Sequence, residues 1–206
     1  MGLVKNKSTS TAFTPLTSLE EAIQTYSEVA DFDHKSFAIE AIISFDGGAR
    51  FLLEELKNTN TAKNISAYIA AELGKMDAKK APIEEIMELL KLHNAYVRNL
   101  GISVLQNYGD AIKYYIVKFL IGDDKDLRIF AVNVLGDVNF AESRDMLLEL
   151  LENEEDINVS MTAVDYMAEI GELEDIDSLE DIKKRFHDEP YVQFAIDRAI
   201  KCIKGE

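Results

Sequence analysis

The sequence predicts an all-α protein whose helices stack in pairs into an α-solenoid. Two observations lead to this prediction. Apolar residues recur at helical spacing from Ser18 onward almost without a break, and no convincing strand alternation occurs. A helix with the same pattern of apolar positions also returns about every 30 residues, which is a period typical of helical repeats.

Six helices carry the repeated pattern. Each has an apolar anchor, and further apolar or small residues follow four and eight positions later. Because positions i, i+4 and i+8 lie on one face of a helix, each of these helices has the same apolar stripe. A small residue in the middle of the stripe lets a neighbouring helix approach closely. The stripes are Phe37, Ala41 and Phe45; Ile65, Ile69 and Leu73; Val97, Gly101 and Leu105; Leu127, Ala131 and Leu135; Val159, Ala163 and Met167; and Val192, Ile196 and Ile200.

A second set of helices alternates with the repeated ones, and its first member is predicted from Leu19 to Ala30. Ser18 can cap this helix, and Glu21 stands where it would complete a capping box. The prediction is therefore about six helix pairs in one curved, right-handed superhelix. This single domain spans residues 17–206. Residues 1–16 are polar and rich in Ser and Thr, and we expect them to form a flexible tail.

The charge and composition restrict the partners. A formal net charge of −16 repels the phosphate backbone of nucleic acids and anionic membrane surfaces. No apolar run is long enough to span a bilayer, and the N-terminal residues lack the apolar core of a signal peptide. With a single Cys, no disulfide can form within the chain. We therefore expect a cytoplasmic protein that binds neither nucleic acid nor membrane.

No residue is predicted to act in catalysis or to bind a metal or a cofactor. His34, His93 and His187 lie in different repeats, and no metal-ligand spacing occurs among the His and Cys residues. Cys202 lies beside an apolar stripe and is expected to be a small buried residue. The acidic run from Glu172 to Asp181 lacks the Gly of a calcium loop, so we interpret it as a solvated loop before a helix.

The repeat pattern resembles that of HEAT repeats, and in particular the short type found in phycobilin lyases. The segments that carry the resemblance are DLRIFAVNVLGDV, YVRNLGISVLQNYGD and INVSMTAVDYMAEIG. The family pattern has Asp shortly before the anchor and Arg directly after it. Asp124 and Arg128 match it; Arg98 matches with Asn94 in place of the acid, and Ser160 replaces the Arg of the third segment. The resemblance covers nearly the whole chain from Ser18.

The resemblance implies the fold but leaves the function open, because HEAT arrays include scaffolds, adaptors and a few enzymes. The preferred hypothesis is a non-enzymatic scaffold, monomeric or weakly homodimeric, that binds a protein or helical peptide. A phycobilin-lyase-like enzyme or chaperone acting on a chromophore-bearing protein is the alternative. A HEAT-like DNA glycosylase is disfavoured by the charge and by the absence of Trp.

The second helix of each pair is expected to line the concave face. Residues two and six positions after each anchor would form contact columns there, and these columns are half apolar and half small and polar. They predict a groove for a protein partner, although the apolar members could instead pack between adjacent repeats. Arg98 and Arg128 could form an anion-binding ladder or pair with acids in their own or the next repeat, for which Asp124 and Asp126 are close candidates. The predicted binding residues are Arg98, Asn99, Ser103, Arg128, Ile129, Asn133, Met161, Asp165 and Phe194.

Overall fold

The structure is a computed structural model that describes residues 13–138 and 141–206. Residues 1–12 of the predicted tail lie outside the described residues. Within these two ranges the chain forms α-helices and short 3-10 helices, and no strand. The 3-10 helices are Glu88–Lys91, Gly109–Ile112 and Leu173–Asp175. The α-helices are α1 (Leu19–Glu28), α2 (Phe32–Ser44), α3 (Gly48–Lys57), α4 (Lys63–Gly74), α5 (Ile83–Met87), α6 (Ala95–Gln106), α7 (Lys113–Leu120), α8 (Lys125–Gly136), α9 (Ser143–Asn153), α10 (Ile157–Ile170), α11 (Ile176–Arg185) and α12 (Pro190–Lys204).

The helices form two layers. The even-numbered helices from α2 to α12 pack against one another in chain order, each against the next. Among the odd-numbered helices, α3 packs on α5, α5 on α7, and α9 on α11, which makes the second layer. Helices that follow one another along the chain, such as α1 and α2 or α11 and α12, pack across the two layers. The predicted α-solenoid is confirmed.

The predicted apolar stripes form the core in most even-numbered helices. All three stripe residues are buried in α4, α6, α10 and α12, and in α8 only Leu127 is half-buried. The stripe predicted for α2 is wrong, because its register is shifted by one residue. Ala38, Ile39 and Ile42 are buried, whereas Phe37 is only half-buried. The ring of Phe37 instead stacks on that of Phe13, with centroids 4.6 Å apart.

Small residues allow close contact between neighbouring helices, as the pattern predicts. A Cβ atom added to Gly101 would lie 3.0 Å from the Cβ atom of Leu89. Gly136, which the sequence marks only as a helix end, is still more restricted: an added Cβ would lie 2.0 Å from the ring of Tyr166. Side chains larger than hydrogen therefore do not fit at either glycine without movement of a neighbour.

Asp and Asn side chains begin four of the even-numbered helices. Asp124 Oδ1 accepts hydrogen bonds from the backbone N–H groups of Asp126 and Leu127, at 2.9 Å and 3.4 Å. Asp31, Asn94 and Asp156 cap α2, α6 and α10 in the same way. Each cap satisfies donors that have no partner within the helix. The Asp of the repeat pattern is thus a helix N-cap.

The capping box predicted for α1 is only half formed. Ser18 Oγ accepts a hydrogen bond from the N–H group of Glu21 at 3.2 Å, as predicted. The carboxylate of Glu21, however, accepts from the N–H group of Thr17 at 2.8 Å and not from that of Ser18. The helix ends at Glu28, two residues earlier than predicted.

The acidic segment after α10 leads into a helix as predicted, and most of its acids are exposed, but Asp175 corrects the prediction of a solvated loop. Asp175 is 3% exposed, and its carboxylate accepts two hydrogen bonds from Arg144, at 2.7 Å and 2.8 Å. The N–H group of Glu172 donates to the same carboxylate at 2.7 Å. Because Arg144 lies on α9, this ion pair attaches the start of α11 to the preceding odd-numbered helix.

Candidate protein-binding face

The outward surface of the even-numbered helices, here the even-helix face, is uncharged at its centre. Ala67 and Ala71 on α4 and Asn99 and Ser103 on α6 are all exposed there. They lie on the side of each helix that points away from the buried stripe, because they follow the anchor by two and six residues. These four exposed positions on two adjacent helices therefore carry no charged side chain.

Hydrogen bonds between adjacent helices hold this face together. Asn133 on α8 has a central position: its backbone carbonyl accepts from Gln106 Nε2 at 3.0 Å, and its side-chain oxygen accepts from the Tyr166 hydroxyl at 3.2 Å. Burial, followed by the charge of Asp137, raises the pKa of Tyr166, so its hydroxyl stays protonated and donates. At α4 and α6, the Tyr96 hydroxyl donates to the carbonyl of Lys63 at 2.8 Å.

Four of the predicted binding residues lie on this face. Asn99 and Ser103 are exposed on α6, Asn133 is half-buried on α8, and Asp165 is exposed on α10. These four polar residues therefore lie on three successive even-numbered helices, α6, α8 and α10.

The apolar members of the predicted columns lie elsewhere. Met161 is 4% exposed and belongs to the core, and Ile129 is half-buried against it. This arrangement matches packing between repeats, the alternative raised for these columns. Phe194 is 69% exposed on α12.

Both predicted arginines bind groups of their own chain. Arg128 donates to the two carboxylate oxygens of Glu154 and, through Nη1, to the carbonyl of Gly122 at 2.7 Å. Its acidic partner is thus neither Asp124 nor Asp126, because the Asp124 carboxylate caps α8 and Glu154 comes from the next repeat. Arg98 Nη1 donates to the carbonyl of Leu92 at 2.7 Å, and its guanidinium lies 4.8 Å from the centre of the Phe130 ring. These bonds give each Arg a structural role in its repeat.

The sequence analysis missed an apolar surface on α7. Tyr114, Val117 and Ile121 are exposed at spacings i, i+3 and i+7, which places them on one face of the helix. The segment YYIVKFLIG gave a signal, because it is more apolar than one buried helix face requires.

The part of the chain that the structure describes offers few other candidates for catalytic or metal-binding residues. The three histidines are exposed, and no group of three His, Cys, Asp or Glu side chains in residues 13–138 and 141–206 could hold a metal ion. Cys202 is exposed, so the expectation that it is buried is wrong. None of the helices in these ranges has the length and apolar character needed to cross a membrane.

Comparisons with known proteins agree with the repeat pattern. A family model described as HEAT repeats matches residues 116–201, from α7 to α12. No curated protein matches the sequence. An engineered protein of known structure is 20% identical, with 93% of this chain and 100% of that chain covered and a TM-score of 0.41. A designed armadillo repeat protein is 14% identical, with 90% and 100% covered and a TM-score of 0.40. By this family model, residues 116–201 are similar to HEAT repeats, and none of these matches supports the phycobilin-lyase type in particular.

Proposed function

We propose that this protein is a non-enzymatic scaffold that binds a protein or a helical peptide on its even-helix face. One observation carries the proposal: the centre of this face, formed by Ala67, Ala71, Asn99 and Ser103, is exposed and uncharged. The centres of protein interfaces are depleted in charged residues relative to the rest of the surface, and the centre of this face has none; Ala and Ser are not residue types that interfaces favour, so it is the lack of charge that supports the proposal. Small side chains also let a partner approach the helices closely.

The hydrogen bonds around Asn133 support the proposal. Because Gln106 and Tyr166 fix α6 and α10 to α8, the surface is ordered before a partner arrives. Ordering a flexible surface on binding costs free energy, so a preformed face binds more tightly for the same contacts. Non-enzymatic protein binding is also the usual role of arrays of HEAT-like repeats.

The experiment compares proteins captured from a lysate by the intact chain and by Ala67→Arg/Ser103→Arg. The two long cations would block the centre of the face, and both replaced residues are exposed, so we expect the fold to persist. The matched control is Ala141→Arg/Ser178→Arg, which changes one exposed Ala and one exposed Ser away from this face. A charge at Met161 would instead test stability, since that side chain is buried.

We expect a partner that the intact chain and the control capture and that the Ala67→Arg/Ser103→Arg variant loses. Quantitative mass spectrometry measures the captured amounts, and circular dichroism checks that all three proteins have equal helix content. Capture of the same partners in equal amounts by all three proteins would show that the even-helix face is not the binding surface.

A further inference from the structure

A groove of about 490 Å³ lies between α7 and α9, in the layer of odd-numbered helices. Val117, Leu120 and Ile121 form one wall, and Met146 and Leu150 of α9 form the other. Its volume is in the range of sites that hold a small ligand or a few side chains of a partner, about 300 to 1,000 Å³. The groove is separate from the even-helix face, so its role does not depend on the function proposed above.

The apolar wall of the groove continues onto the open surface. Ile121, which lines the groove at the end of α7, is itself 77% exposed. Tyr114 and Val117 extend the same surface along α7. Contiguous exposed apolar residues of this kind mark interaction sites more often than isolated ones do.

The charges around the groove indicate what kind of partner fits. Asp123, Glu149 and Glu155 line its rim, and none of them has a cationic partner within 4.0 Å in the described residues. The fourth acid, Glu154, is neutralised by Arg128, the only basic residue among those lining the groove. The groove therefore has apolar walls and an acidic rim.

The neighbouring groove between α5 and α7 is different. It has a similar volume, about 400 Å³, but Glu84 and Glu88 are balanced there by Lys91 and Lys118. An excess of acid is thus a property of the α7–α9 groove and not of every groove in this layer.

We propose that the α7–α9 groove binds a basic amphipathic segment of a partner protein. A large apolar side chain of the segment would enter between Ile121 and Leu150, and flanking Lys or Arg residues would face Glu149 and Glu155. Burial of the apolar side chain supplies most of the affinity, and the opposite charges set orientation and association rate. An amphipathic helix in a groove is a common way in which such segments bind.

A designed 16-residue peptide tests the proposal. The probe carries Leu at positions i, i+3 and i+7 of a helix and Lys at most other positions, with a fluorescent label for anisotropy. One comparison peptide has the same composition in scrambled order, and another has Glu in place of Lys. The patterned basic peptide should bind saturably, and the methyl groups of Val117, Ile121 and Met146 should show the largest NMR shifts.

Two variants locate the binding. Ile121→Asp places a charge on the apolar wall and should raise the dissociation constant of the patterned peptide at least tenfold. The control Leu173→Asp adds the same charge at a residue of similar exposure, 68%, outside the groove, and should leave the constant within twofold. Glu149→Lys should weaken binding and reduce its dependence on salt.

Three results would overturn the proposal: equal affinity for the scrambled peptide, equal effects of Ile121→Asp and Leu173→Asp, or no binding of the patterned peptide. Self-association that Ile121→Asp abolishes, measured by analytical ultracentrifugation, would assign the groove to a second copy of this chain instead. The Ala67→Arg/Ser103→Arg variant should bind the peptide normally, which separates this test from that of the even-helix face.

Discussion

Arg128 and Glu154 form a bidentate ion pair: Nε and Nη2 of the guanidinium lie 2.7 Å and 3.0 Å from the two carboxylate oxygens. Arg128 is on α8 and Glu154 follows α9, so the pair joins consecutive repeats. The remaining nitrogen, Nη1, donates to the carbonyls of Gly122 and Asp123 in the loop after α7. One side chain therefore connects the ends of α7 and α9 at one end of the groove.

Removal of the guanidinium should strongly destabilise the protein. In Arg128→Met the Glu154 carboxylate, which is 4% exposed, would stay buried without its cation. Loss of one partner of a buried ion pair costs about 3–5 kcal/mol of unfolding free energy. Urea unfolding followed by circular dichroism measures this cost. The double variant Arg128→Met/Glu154→Leu should recover part of it, and a single variant within about 1 kcal/mol of the parent would contradict the structural role.

Loss of the Asp124 cap should have a smaller effect. Asp124→Ala removes the acceptor for two N–H groups at the start of α8 and should lower the free energy of unfolding by about 1 kcal/mol. Asp126→Ala is the matched control, because Asp126 is an exposed acid in the same helical turn that caps nothing. Equal changes in the urea midpoints of the two variants would show that the cap does not matter.

Stability should decrease in acid, in part through Asp175. Burial alone would raise the pKa of this carboxyl, but the hydrogen bonds from Arg144 and the N–H group of Glu172 outweigh burial, and its pKa lies below the usual value. A carboxyl whose pKa is lower in the folded state stabilises the protein above the unfolded pKa of about 3.9 and loses this effect as the pH falls further. Arg144 stays charged throughout this range.

The measurement is the urea midpoint at pH 7, 5, 4 and 3 for the parent chain and for Asp175→Asn. Asn cannot titrate, so the difference in stability between the two proteins should be constant from pH 7 to 5 and should shrink below about pH 4. A difference that is the same at pH 3 as at pH 7 would mean that Asp175 does not contribute to acid sensitivity.

A methyl group at Gly136 should disturb the contact between α8 and α10. In Gly136→Ala the added Cβ would meet the Tyr166 ring at 2.0 Å, and overpacking of this kind costs about 1–3 kcal/mol. Gly74→Ala is the control, because its nearest neighbour is the Asn107 side chain at 3.1 Å, which can move. Thermal unfolding should show the larger loss for Gly136→Ala, with recovery when Tyr166→Ser removes the ring. A melting temperature equal to that of Gly74→Ala would argue against the close contact.

The parts of the fold that depend on local spacing could be predicted from the sequence. The stripe of Val159, Ala163 and Met167 is buried because a helical period of 3.6 puts these residues on one face, whatever the neighbours. The caps at Asp124 and Asp156 are equally local, but they were not predicted, and Asp124 was offered as an ion-pair partner instead. In α2 the same spacing placed Phe37, Ala41 and Phe45 on the buried face, but Ala38, Ile39 and Ile42 are buried instead, and the Phe37 ring packs on Phe13 outside the core.

The parts that depend on neighbouring repeats could not be predicted. Met161 follows its anchor by two residues, as the exposed Asn99 does, yet it is buried, so burial at this position depends on how closely neighbouring helices approach. The partner of Arg128 is 26 residues away, and several nearer acids fit the sequence equally well. Asn99 lies opposite its stripe and is exposed, whereas Met161 at the equivalent position of α10 is buried, so position relative to the stripe does not by itself determine exposure.

The bonds of Asn133 also have a mechanical consequence. In a stack of repeats each repeat contacts only its neighbours, so the stack bends where the spacing between neighbouring helices changes. Here one residue is bonded both to α6 and to α10, so bending at this point would have to stretch two hydrogen bonds together. Relative movement of α6, α8 and α10 should therefore be restricted at Asn133, and loss of either bond should loosen the contact that it spans.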